Sequence, residues 1–144
     1  MKFVRVLTIV LCFAVGLLGL AGGYAAISTP EGPFGIPKEI LKNGPFDDFL
    51  IPGLTLFIVI GLGQVGTGIA LIRKAKFHQY ALGVMGAVSL GWIVIQCLIM
   101  EEINFMHITI FLIGSLQGLY ALSLLYAENM FPMDWVRKNL VKRA

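Results

Sequence analysis

Apolar and polar positions along this chain fall into long blocks, not a fine alternation. Four stretches, Val6–Ile27, Phe49–Ile72, Tyr80–Met100 and Ile108–Ala127, contain no Asp, Glu, Lys or Arg. The shortest has twenty residues. At about 1.5 Å of rise per residue, each can cross a hydrocarbon layer roughly 30 Å thick as a helix. None carries the period-two pattern of a barrel strand, and glycine inside a membrane helix is common. The pattern predicts an all-α, integral membrane four-helix bundle forming one transmembrane domain over residues 1–144. A loop at 28–48 and a tail at 132–143 lie outside the spans. Lys2, Arg5, the first apolar run and Gly23-Tyr24-Ala25 have the outline of a signal peptide. That run exceeds the usual 7–15 apolar residues of such a leader, so it reads as a retained span.

Composition closes the soluble alternative. Hydrophobic residues make up 58% and charged residues 13%, about half the charge of a soluble domain. The charges are also unevenly placed. Of 11 basic residues, nine precede span one, join spans two and three, or follow span four: Lys2, Arg5, Arg73, Lys74, Lys76, Arg137, Lys138, Lys142 and Arg143. Only Lys38 and Lys42 lie on the other side, with Glu31, Glu39, Asp47, Asp48, Glu101 and Glu102. The positive-inside rule then puts both termini in the cytoplasm of a multi-pass plasma (inner) membrane protein. A pI near 9.0 follows from this topology and calls for no nucleic acid. Membrane lipids are the expected partners of the basic side.

The loop carries Pro30, Pro33, Pro37 and Pro45 and repeats Gly-Pro-Phe at 32–34 and 44–46. Pro37 at a helix start and Gly44 beyond its end predict one or two helical turns between them. Such a loop is either a connector or a lid. In the tail, Pro132 separates span four from a segment with Met133, Val136 and Leu140 on one face. Trp135 suits the interface, and Arg137 and Lys138 suit headgroups. The reading is a short amphipathic C-terminal helix on the cytoplasmic leaflet. The same residues could dock a cytoplasmic partner.

Candidate chemistry is sparse. Gln64 and Gln117 fall mid-span, and an amide in hydrocarbon needs partners. Thr67, Trp92, Gln96 and Tyr120 join them as the polar set of the spans. Two readings stay open: interhelical hydrogen bonding, or a polar chamber for a small or lipid-like molecule lined by Gln64, Thr67, Trp92, Gln96, Gln117 and Tyr120. On the external side Asp47, Asp48, Glu101, Glu102 and His107 could collect a divalent cation, although Asp47 and Asp48 also suit the start of a helix. Small residues recur four apart: Cys12 and Gly16, Gly19 and Gly23, Gly61 to Gly68, Gly83 with Ala87 and Gly91, Gly114 and Gly118. They allow close helix contact within the bundle or in a homodimer. Cys12 and Cys97 lie at different depths and read as packing residues, not a disulfide.

At Pro45-Phe46-Asp47-Asp48-Phe49-Leu50-Ile51-Pro52-Gly53-Leu54, and more loosely at Gly91-Trp92-Ile93-Val94-Ile95-Gln96, the chain resembles small bacterial four-span inner-membrane proteins without an assigned activity. The resemblance implies the architecture and brings no site with it. Other four-span families fit less well. A vitamin K epoxide reductase-like protein needs a CxxC, a small multidrug transporter needs a glutamate in span one, and a microsomal glutathione transferase-like pattern needs charges within its helices. The chain also lacks a P-loop, GxSxG and HExxH. Gly61-Leu62-Gly63-Gln64-Val65-Gly66 matches GxGxxG but lies inside an apolar span, without a preceding strand. No cofactor is implied and no catalytic residue stands out. The leading expectation is a non-catalytic membrane protein acting by self-association or partner binding. The alternatives are a carrier or binder using the polar chamber and a membrane enzyme using the external acids.

Overall fold

A computed structural model describes residues 2–143. Four helices are long and apolar enough to span a membrane: α1 (Lys2–Ser28), α2 (Leu50–Arg73), α3 (His78–Met100) and α4 (Phe105–Ala127). A fifth, α5 (Met133–Arg143), follows a turn after α4. Only 28–33% of each spanning helix's apolar window is buried. Large apolar side chains such as Leu18, Ile58, Leu98 and Leu119 point outward from the four helices. A bundle in water could not leave them so, whereas lipid is an apolar solvent for them. The molecule is an all-α, multi-span membrane protein.

The helices overrun the apolar windows because caps set their ends. Asn104 precedes α4 and accepts from the His107 backbone N–H at 3.2 Å, while His107 Nδ1 accepts from the Asn104 N–H at 3.2 Å. This reciprocal box satisfies two donors that the first turn leaves free. Asp48 accepts from the Leu50 N–H at 2.9 Å at the start of α2. Lys74 takes a left-handed conformation (φ 51°) after α2, and the Ala75 N–H returns to the Ala70 carbonyl at 3.0 Å. That closure is the usual C-terminal one, made here without glycine.

The chain packs as two antiparallel pairs. α1 meets α2 through Gly16 against Val65, Gly19 against Gly61, Gly23 against Phe57 and Ala26 against Gly53. A Cβ on Gly23 would stand 2.6 Å from the Phe57 backbone nitrogen, so only glycine fits there. α3 meets α4 where Gly86 lies on Gly114 and Gly118; a Cβ on Gly86 would be 2.9 Å from the Gly114 carbonyl oxygen. Of the expected Gly83–Ala87–Gly91 face of α3, only Gly83 meets α4, where a Cβ would stand 3.4 Å from Ala121. Ala87 and Gly91 face outward, and Gly86, one position before Ala87, makes the tighter contact.

The two contact faces of the first pair have different periods, and the backbone absorbs the difference. On α1 the contacts fall at 16, 19, 23 and 26, the normal helical rhythm. On α2 they fall at 53, 57, 61 and 65, four apart throughout. A regular α-helix drifts about 40° every four residues and about 120° over three such steps. It would carry Val65 off the α1 face. Residues Leu56–Leu62 instead form a π-helix, whose i→i+5 turns are wider and reduce the drift.

The loop between α1 and α2 is short-turned and attached. It forms 3₁₀ turns at Pro33–Gly35 and Lys38–Leu41, in place of a full helical segment. The Phe49 N–H donates to the Pro30 carbonyl at 3.0 Å, and Pro33 and Leu41 are buried. Lys38 pairs with Glu31, whose hydrogen bond and charge hold the Lys38 ammonium above its ordinary range.

At the opposite end, the Arg5 guanidinium donates to the Leu71 carbonyl, one of the acceptors the last turn of α2 leaves free. Gln79 donates to the Glu128 carboxylate, and Tyr80 donates to the Phe131 carbonyl at 2.7 Å. These bonds seat the start of α1 beside the end of α2, and the start of α3 beside the end of α4. The basic clusters of the N-terminus, the α2–α3 link and α5 therefore share one end of the bundle.

Candidate functional site

The interior of the bundle holds one polar constellation, and every spanning helix contributes to it. Gln117 Nε2 on α4 donates to Gln64 Oε1 on α2 at 2.8 Å. Gln64 Nε2 donates back to Gln117 Oε1 at 3.0 Å. The two amides thus close a ring. The second hydrogen on Gln64 Nε2 goes to Ser89 Oγ of α3 at 3.0 Å, and the second on Gln117 Nε2 goes to Cys12 Sγ of α1 at 3.3 Å. All four side chains are at most 1% exposed. Every amide N–H is used, which a pair of glutamines in hydrocarbon requires.

Packing fixes this geometry. Toward the basic end, Leu71, Leu82, Tyr120 and Ala121 form an apolar cluster with Cys12 that seals the ring on that side. On α2, Thr67 Oγ1 donates to the Gly63 carbonyl at 2.9 Å and so turns into its own helix. The π-helix ends at Leu62, just before Gln64. The widened turn therefore sets the angle at which Gln64 reaches α4.

The six residues expected to line a chamber are distributed over three places. Gln64 and Gln117 bind each other. Thr67 and Tyr120 lie beside them, the first bonded within α2 and the second buried in the apolar cluster. Trp92 and Gln96 sit near the far end of α3, where they border a cavity of about 40 Å³ beneath Leu41, Phe46 and Phe49. That space has room for a few waters, at roughly 10–15 Å³ for each. Neither Gln64 nor Gln117 lines it.

The external acids are placed separately too. Asp48 holds the start of α2, and His107 is buried in the α4 cap with its Nδ1 occupied. Asp47, Glu101 and Glu102 are exposed. Among the described residues no three His, Cys, Asp or Glu side chains converge on a metal position. Cys12 and Cys97 are both free.

Two features were not anticipated from sequence. Ser89 and Cys12 complete the ring, and the signal for them was depth: each is a small hydrogen-bonding residue at the same level as the glutamines. Gln79 is 2% exposed, with its Oε1 unpartnered and its amide on Glu128. Its place at the first turn of α3 gave no sign of burial. The ring itself is neutral, has no titratable base beside Ser89 or Cys12, and can hold helices together without moving protons.

No protein-family model, curated protein or solved structure matches the chain.

Proposed function

We propose that this protein is a non-catalytic, multi-span membrane protein that works through its outer surface, by self-association or by binding another membrane protein. The observation that carries the reading is the closed Gln64–Gln117 ring with Ser89 and Cys12. The amide N–H groups of both glutamines are spent on one another and on Ser89 and Cys12, so they offer a ligand no donor. What the bundle offers to others is its lipid-facing side and its basic end. Most glycines are spent inside the bundle, but a Cβ on Gly66 or Gly91 would meet no atom within 4 Å. With the exposed Ala87, Gly91 supplies a flat place on α3 for a second helix. By the positive-inside rule, the end with nine basic residues faces the cytoplasm of the inner membrane.

The test is native mass spectrometry of the full chain released from lipid nanodiscs, with Gly91→Leu in parallel. The expected result is a discrete dimer or a stoichiometric membrane-protein partner, weakened by Gly91→Leu. A monomer at every protein-to-lipid ratio with no partner would overturn the reading. A stoichiometric non-lipid small molecule would replace it with the carrier reading.

A further inference from the structure

The bundle half-covers Met133 and Val136 of the C-terminal helix and leaves its other apolar side chains exposed. None of the α5 residues Met133–Arg143 is buried. Trp135, Leu140 and Val141 are 62%, 62% and 70% exposed, and Phe131, just before the helix, is 67% exposed. An eleven-residue helix is marginal in water on its own. An apolar surface at its margin therefore needs something to lie on.

Charge and position select the occupant. α5 carries Arg137, Lys138, Lys142 and Arg143 against a single acid, Asp134. Asp134 and Lys138 are 3.6 Å apart along the helix, so that acid is turned to its own neighbour. Arg137, Lys138 and Lys142 border a shallow open groove together with Val141 and Asn129. At about 100° per residue Trp135 lies on the same side of α5 as Lys138 and Lys142, so an apolar ring sits among cations. The helix also begins within a few residues of the point where α4 leaves the apolar region, at the end that already carries Arg5, Arg73, Lys74 and Lys76. A surface that is apolar below, anionic above and continuous with the end of a spanning helix is the headgroup layer of an anionic bilayer.

We propose that α5 docks on the anionic lipid surface next to the bundle. Trp135 enters the interface, Lys138 and Lys142 on its side of the helix hold lipid phosphates, and Arg137 adds charge close to the surface. The docked helix clamps the exit of α4 and gives the protein a preference for anionic lipid. This contact is independent of self-association through α3, since it uses a different helix.

The chain has two tryptophans, Trp92 and Trp135, so Trp92→Phe leaves Trp135 as the reporter. The full chain is reconstituted in vesicles of phosphatidylcholine alone or with phosphatidylglycerol. The variant Arg137→Gln/Lys138→Gln/Lys142→Gln is measured beside it, with circular dichroism to check that the spans stay helical. In anionic vesicles Trp135 emission is expected to shift to the blue, to be quenched by brominated lipid and to be shielded from aqueous acrylamide. In anionic vesicles the equilibrium between docked and free tail is expected to fall about fivefold for each charge removed, and in phosphatidylcholine alone the charge changes are expected to have little effect. Equal acrylamide access in both vesicle types would overturn the proposal. So would shielding from acrylamide without quenching by brominated lipid, which would mean that protein covers the helix.

Discussion

Gln64 and Gln117, on α2 and α4, are each the other's donor and acceptor, at 3.0 and 2.8 Å and with no exposure. The relationship has an energetic consequence. Changing one glutamine leaves the other with an unmet carbonyl and unmet N–H groups in a dry interior, a loss of about 1–3 kcal/mol. Changing both removes the need along with the bond. Gln64→Leu and Gln117→Leu are each expected to destabilise by about that amount. The double variant should cost less than the sum, with a coupling of about 0.6–1.7 kcal/mol, the range of interhelical bonds in membranes. Unfolding in bicelles measures all three. Strictly additive losses would mean that the ring does not hold the helices.

The glycines divide by what stands opposite them. A Cβ on Gly23 would lie 2.6 Å from the backbone nitrogen of Phe57, and backbone cannot rotate aside. Gly23→Ala should force α1 from α2 and cost about 1–3 kcal/mol. Gly91 faces open space, and there alanine gains helix propensity of up to about 1 kcal/mol. The two substitutions should therefore shift the melting temperature in opposite directions. A shift of the same sign for both would contradict the packing described.

How much of this was legible in the sequence depends on what each residue needs. The spans were legible because crossing hydrocarbon demands an uncharged run, which any window reveals. That Gln64 and Gln117 needed partners was legible for the same reason. Their pairing was not, because it depends on where two helices cross and at what rotation. The rotation of α2 is set by the π-helix at Leu56–Leu62, and no residue type announces such a turn. Its cause is a mismatch of contact periods between α1 and α2, visible only once the helices are placed side by side. Gly86 was missed likewise, because Gly83, Ala87 and Gly91 offered a cleaner four-residue pattern, of which only Gly83 faces α4.

Orientation can be read by labelling. Asn43 is exposed in the α1–α2 loop and Lys76 in the α2–α3 link. Both native cysteines are replaced by serine, and Asn43→Cys or Lys76→Cys is added singly. A membrane-impermeant maleimide applied to intact cells with a permeable outer membrane should label Asn43→Cys and reach Lys76→Cys only after lysis. This is the outcome that the positive-inside rule expects of nine cations gathered at one end. The reverse pattern would invert the protein and place α5 on the outer leaflet.

The π-helix gives the sharpest test of how the two halves of α2 are coupled. Phe57 and Gly61 lie within it and face Gly23 and Gly19, while Gln64 follows it and faces Gln117. Ile58 points outward and is 54% exposed, so Ile58→Ala should change stability by no more than about 0.5 kcal/mol. Deleting Ile58 is different in kind. It removes a residue from the wide turns and lets i→i+4 bonds form, so the helix from Gly53 to Val65 turns by about 1,100°, within about 20° of three full turns. The shortened helix therefore keeps Gly53 against α1 and Gln64 against α4, and the π-helix closes to an ordinary α-helix. The deletion is expected to cost less than losing the amide pair, about 1–3 kcal/mol. A deletion that costs as much as that loss would mean that the wide turn does not serve to keep the α1 contacts and the glutamine ring in phase.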